Sequence, residues 1–252
     1  MVLPIGDENR PNRTTPLVVY GLIAINVLVF ILQLMSGEQF TLAYAAVPYE
    51  LTHGIDIVRP ERLPGGVVIP HAPGPSPIWI TVLTSMFMHG GYMHIGGNML
   101  YLWIFGDNIE DNFGHTRFLI FYLLCGVIAM LAQIVLDPNS MIPTLGASGA
   151  IAGVLGSYLV MFPRNRIRVL TMFLIITVIE LPAILVLGFW IVLQFISQIG
   201  SITDHTAQTS GGGVAYMAHI GGFLAGMALS FIFRRRQQPS YYRDSYNRDY
   251  DE

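Results

Sequence analysis

The sequence predicts an all-α membrane protein: a six-transmembrane-helix bundle with a long first external loop. Three observations carry this prediction. Apolar residues make up 53% of the 252 and charged residues only 12%, about half the charge of an ordinary soluble domain. Six apolar runs stand near the roughly 20 residues needed to cross about 30 Å of hydrocarbon. All 13 basic residues are arginine, and they gather at alternate ends of those runs.

The runs are read in order. Leu17–Met35 is the first span. A second apolar region from Trp79 to Phe105 is broken at Gly90-Gly91, which places its membrane helix at about Tyr92–Phe105. Phe118–Leu136 is the third span, and Ser148–Phe162 is a short fourth. The stretch from Val169 to Ile199 is too long for one crossing and contains Glu180 and Pro182. Proline suits the first turn of a helix, so the fifth span starts near Pro182. The preceding piece, Val169–Ile179, either lies at the interface or folds back. Val214–Phe233 is the sixth span.

Six crossings put both termini on one side, and arginine bias selects that side. Eleven arginines fall on the side of the termini: Arg10, Arg13, Arg117, Arg164, Arg166, Arg168, Arg234, Arg235, Arg236, Arg243 and Arg248. Only Arg59 and Arg62 fall opposite. Both termini are therefore expected in the cytoplasm. The chain divides into a cytoplasmic segment 1–15, a six-span domain 16–236 and a cytoplasmic tail 237–252. The tail alternates Tyr, Arg and Asp without apolar periodicity and is expected to be disordered. The segment from Ser36 to Pro77 is the external loop, rich in Pro after Arg59. No signal-peptide core precedes the first run. The lone Cys125 excludes an internal disulfide and a cysteine-rich metal site. No metal, cofactor or nucleic-acid partner is expected.

Polar groups inside spans are costly and mark function by default. His94 and Asn98 are four apart on one helical face. Ser148 opens the fourth span within Gly146-Ala147-Ser148-Gly149, and His219 lies inside the sixth. Ser148 is 14 residues from Phe162, and His219 is 14 from Phe233. At 1.5 Å per residue both lie roughly 21 Å above the inner face. That is roughly 9 Å below the outer face of the hydrocarbon core. Gly149 and Gly153 are four apart, as are Gly222 and Gly226; such small-residue faces let helices pack closely. Close packing would bring the Ser148 hydroxyl to the His219 imidazole, which can act as its general base. Free N–H groups at the start of the fourth helix can stabilise an oxyanion, with His94 and Asn98 as further donors.

Each feature has a plainer meaning by itself. A serine at a Gly-rich helix start is ordinarily an N-cap. The glycine pairs serve packing, and His94 with Asn98 makes a structural polar pair. Cys125 reads as a small core residue, His89 as a loop residue near the outer surface. His53, His71, His115 and His205 fall in loops and receive no role. Three polar features at matching depth on three spans, beside small-residue faces, favour the catalytic reading. Other intramembrane chemistries fail on motif: His-Glu-x-x-His is absent, and the aspartates, including Asp107, Asp137 and Asp204, fall outside the spans. No convincing internal repeat points to a transporter.

From about Leu17 to Arg236 the chain resembles the rhomboid family of intramembrane serine proteases. The resemblance rests on the run from His89 through His94 to Asn98, on Gly146-Ala147-Ser148-Gly149, and on Ala218-His219-Ile220-Gly221-Gly222 continuing to Gly226. Gly106-Asp107-Asn108-Ile109-Glu110 adds to it. It implies a dyad of Ser148 and His219 with no third acidic member. It also implies an oxyanion hole of His94, Asn98 and the Ser148 backbone N–H. The implied substrates are transmembrane proteins cut within or near the outer end of a helix; separately, the lack of long soluble domains suits a bacterial inner membrane. Trp79-Ile80 stands where the family often has Trp-Arg, and Ala152 where many members place an aromatic against the imidazole. A proteolytically dead, helix-binding relative is the rival reading; both Ser148 and His219 are retained, which favours the enzyme.

Overall fold

The computed structural model describes residues 2–8, 14–62, 66, 68–172, 176–203 and 214–235. The expected disordered tail, His205 and Asp204 lie outside them.

The chain is mostly helical. Helix α1 (Leu17–Ser36) stops at Gly37, whose positive φ of 82° suits glycine. Two short helices follow, α2 (Glu38–Tyr44) and α3 (Pro48–His53), then a two-stranded pair, β2 (Glu61–Arg62) and β3 (Val68–Ile69). Helical turns run from Ile78 to Phe87, with α4 (Thr81–Thr84) at their centre. Helices α5 (Tyr92–Phe113) and α6 (His115–Leu136) are separated only by Gly114 at φ 80°. Helix α7 (Ser148–Met161) leads into strands β4 (Arg166–Met172) and β5 (Ile176–Pro182). Helices α8 (Ala183–Thr203) and α9 (Tyr216–Phe233) complete the bundle.

Among the described residues four helices are long and apolar enough to cross a membrane: α1, α6, α8 over Ala183–Gly200, and α9. Helix α7 has 14 residues, about 21 Å, and residues Gly149 to Tyr158 are all buried. Helix α5 runs eight residues past the expected end at Phe105. It can do so because protein, not lipid, receives its polar end. Glu110 is fully buried and accepts the N–H groups of Val18 and Val19 at 2.9 and 2.8 Å. It thereby caps α1, which begins after Pro16 without a side-chain cap of its own. His115 also contacts the Glu110 carboxylate. Asp107, placed outside the spans by sequence, is a buried residue within α5.

The all-α expectation requires correction. β1 (Val2–Asp7), β4 and β5 form a three-stranded antiparallel sheet in the order β1-β4-β5. Register runs from Leu3↔Leu170 to Asp7↔Ile167 across one seam, and from Arg166↔Pro182 to Met172↔Ile176 across the other. The signal was the alternation Arg166-Ile167-Arg168-Val169: both arginines are exposed and both aliphatics fully buried, the period of a half-buried strand. The stretch expected to lie flat or fold back therefore folds back as a hairpin. Asp7 fastens β1 to the bundle, its carboxylate accepting from Asn108 Nδ2 at 2.7 Å and from the Tyr158 hydroxyl.

The core lies between α5, α6, α7 and α9. Phe105 meets Tyr158 edge-on at 5.0 Å, and Phe113 meets Phe121 at 5.1 Å. Cys125 is fully buried within it. α7 and α9 approach so closely that a Cβ on Gly222 would sit 2.0 Å from the Gly149 carbonyl oxygen. On Gly226 it would sit 1.9 Å from that of Gly153. At these two positions only hydrogen fits.

Candidate active site

Ser148 is the first residue of α7. The turn that delivers it depends on Gly146, at φ 126°, whose N–H donates to the Ser85 carbonyl at 2.8 Å. A Cβ there would also stand 2.8 Å from His94 Nε2 and 3.6 Å from Ser148 Oγ. Glycine at 146 therefore lets the His94 ring and the Ser148 hydroxyl close on one small space.

His219 comes from the first turn of α9, brought in by the Gly149/Gly222 and Gly153/Gly226 contacts. Ser148 Oγ and His219 Nε2 are 2.8 Å apart. His219 Nδ1 lies 2.8 Å from Oε1 of Gln194 on α8. The Trp190 ring, one turn before Gln194, lies 5.8 Å from the imidazole with the planes 34° apart.

His94 and Asn98 both lie on α5, facing inward. The Gly90 N–H donates to His94 Nδ1 at 3.3 Å, which leaves Nε2 as the N–H donor of a neutral ring. Asn98 is buried, and among the described residues its Nδ2 has no hydrogen-bond partner. An unsatisfied buried donor costs stability, and such groups in native proteins are met by water, an ion, a ligand or a reacting atom. The structure thus brings Ser148, His219 and His94 together, with Asn98 one turn below His94. His89, expected near the outer surface, is buried beside His94 at 5.2 Å. Among the described residues no three His, Cys, Asp or Glu side chains converge as metal ligands.

Sequence reasoning missed Gln194 and Trp190. The signal was present: Gln194 is a polar residue in an apolar span, the same criterion that picked out His219. The aromatic sought at Ala152, on α7, is supplied against the imidazole by α8 instead.

Long apolar helices packed around a half-buried serine–histidine pair define the class, an integral membrane protein. The Rhomboid domain profile matches residues 77–236, more than half of the sequence, and the chain belongs to the rhomboid family. It is 37% identical over 153 residues to Rhomboid protease GluP of Bacillus subtilis (strain 168), covering 60% of this chain and 26% of that protein. It is 28% identical over 165 residues to Putative rhomboid protease YdcA of the same organism, covering 65% and 71% respectively. With Rhomboid protein 1, mitochondrial, of Saccharomyces cerevisiae (strain ATCC 204508 / S288c) it shares 29% identity over 162 residues, 62% of this chain and 42% of that one. The matched region thus spans about a quarter of GluP and under half of the yeast protein.

Proposed function

We propose that this protein is an intramembrane serine endopeptidase that cuts transmembrane substrates within or near the outer end of their helices. The observation that carries the reading is the 2.8 Å separation of Ser148 Oγ and His219 Nε2. In this mechanism His219 Nε2 takes the hydroxyl proton as Ser148 Oγ attacks the scissile carbonyl carbon. The developing oxyanion is met by the Ser148 backbone N–H, His94 Nε2–H and Asn98 Nδ2–H. The imidazolium returns its proton to the departing amine as the C–N bond breaks. Water, deprotonated by the same imidazole, then hydrolyses the acyl-enzyme and regenerates Ser148.

In the bilayer, α1, α5, α6, α7, α8 and α9 are six crossings, with the segment between α1 and the turns at Ile78 outside. Both termini and the β1-β4-β5 sheet face the cytoplasm, in keeping with the eleven-to-two arginine bias. The short α7 starts below the outer face, which lets water reach Ser148 from that side. The membrane is a bacterial inner membrane.

The test is cleavage of a transmembrane substrate by the purified full chain in detergent. Ser148→Ala and His219→Ala should each lose most of the activity, and the double variant should be little worse than either, because residues acting as one unit are strongly non-additive. A serine-directed phosphonate should label wild type and not Ser148→Ala. Turnover that persists in Ser148→Ala ends this reading. A non-proteolytic helix-binding protein would show no labelling and no cleavage.

A further inference from the structure

We infer that Gln194 is a positioning residue that fixes the tautomer and orientation of His219, a role that rests on the Ser148–His219 mechanism above. The inference begins with where Gln194 lies. Ala183, Leu187, Trp190 and Gln194 follow one another at intervals of four, three and four, so they form one stripe of α8. Ala183 and Leu187 are buried in the core, so this stripe faces inward. The other α8 faces carry exposed Leu185, Phe189, Val192 and Ile196. A glutamine on the inward stripe of a membrane helix must find a partner, because an unpaired amide there is costly.

Its partner is the imidazole. Gln194 Oε1 lies 2.8 Å from His219 Nδ1. An amide oxygen only accepts, so Nδ1 must carry the proton. In a neutral ring that leaves the Nε2 lone pair free, and Nε2 is the atom 2.8 Å from Ser148 Oγ. The other tautomer would present an N–H to the serine and could not take its proton. The amide itself is held the right way round: Gln194 Nε2 donates to the Trp190 carbonyl one turn earlier, at 3.4 Å. A flipped amide would lose that bond and set an NH2 against Nδ1. When His219 becomes an imidazolium, Nδ1–H still donates to Oε1, whose carbonyl dipole is already aimed at the developing charge.

Trp190 completes the hold. Its ring lies against both the imidazole, at 5.8 Å, and Phe223, at 5.9 Å. The indole thus supplies from α8 an aromatic ring against His219. The two residues that orient the general base are thus adjacent turns of a single helix, which supplies neither nucleophile nor base.

The decisive variants are Gln194→Leu, which lacks the acceptor, and Gln194→Glu, which keeps it. With a transmembrane substrate in detergent, Gln194→Leu should lower kcat about ten-fold, the worth of one hydrogen bond, and leave KM unchanged. Gln194→Glu should restore kcat to within about three-fold of wild type. Nitrogen-15 spectra of histidine-labelled protein supply a readout independent of turnover. The His219 signals, assigned by their loss in His219→Ala, should report the Nδ1–H tautomer in wild type and a mixture in Gln194→Leu. An unchanged His219 tautomer in Gln194→Leu overturns the inference, as does wild-type kcat in that variant. If Ser148→Ala keeps its turnover, the protease reading fails separately, and the nitrogen spectra still decide whether Gln194 holds the ring.

Discussion

Replacing Gly226 by alanine puts the packing account of the site at risk most directly. Gly226 is seven residues beyond His219, about 10.5 Å along α9, so the substitution touches no reacting group. The added Cβ would stand 1.9 Å from the Gly153 carbonyl oxygen, whereas ordinary contact begins at 3.4 Å. The backbones must therefore part locally by 3.4 − 1.9 = 1.5 Å. If half of that displacement reaches the outer end of the pair, the 2.8 Å contact between Ser148 and His219 opens to about 3.5 Å, the limit of a useful hydrogen bond. Misplacement on the order of 1 Å costs about 100-fold in rate, and overpacking costs about 1–3 kcal/mol in stability. Cleavage and thermal unfolding in detergent measure the two effects. Gly21→Ala is the control, because nothing lies within 4 Å of a Cβ there. Gly226→Ala cleaving within about three-fold of wild type would refute the claim that helix spacing sets the dyad distance.

Two further outcomes follow from charged groups away from the site. Glu110→Gln replaces one of two carboxylate oxygens that accept from Val18 and Val19 with an NH2, and should cost about 1–2 kcal/mol of stability; an unchanged melting temperature would count against the capping role. Burial raises the Glu50 carboxyl from 4.5 to about 7, with Asp56 adding to the rise and the Ile57 N–H opposing it. A carboxyl raised in the folded state stabilises fully below its unfolded value and loses that contribution as pH climbs through its folded one. The Glu50–Ile57 turn should therefore resist limited proteolysis better at pH 5 than at pH 8, and Glu50→Gln should abolish the difference. A turn cut faster at pH 5 reverses the sign and removes the argument.

Much of the architecture was legible because the membrane imposes simple rules on sequence. Apolar run length located α1, α6 and α9 to within three residues at each end, and Pro182 marked the start of α8. The small-residue spacing at 149, 153, 222 and 226 foretold a contact that only glycine permits. What escaped was structure made by pairing distant segments. Helix α5 outran its apolar stretch because Asp7 and the start of α1 receive its polar groups, and hydropathy along one segment carries no record of such partners. The sheet was hidden for the same reason, since Val2–Asp7 and Arg166–Met172 are far apart in sequence. Arg166 and Arg168 also count toward the arginine bias, and that role masks the alternation of a strand. Gln194 was legible by the rule that picked out His219, a polar residue inside an apolar span, and it lies nearer to His219 in sequence than Ser148 does.

The order of elements along the chain bears on biosynthesis. Ser148 and His219 are 71 residues apart, and α9 is the last of the described helices to emerge. A nascent chain that has inserted α7 and α8 already displays the hydroxyl, the amide of Gln194 and the indole of Trp190, but no imidazole between them. The glycine face of α7 meanwhile meets Ala129 and Cys125 of α6 and lacks α9. A ribosome stalled before residue 216, or a message truncated there, would release a polypeptide with the proposed nucleophile, Ser148, and without the proposed base, His219. On the proposed mechanism such a fragment would sit among other nascent helices without being able to cut them, and competence would arrive only when the final helix docks.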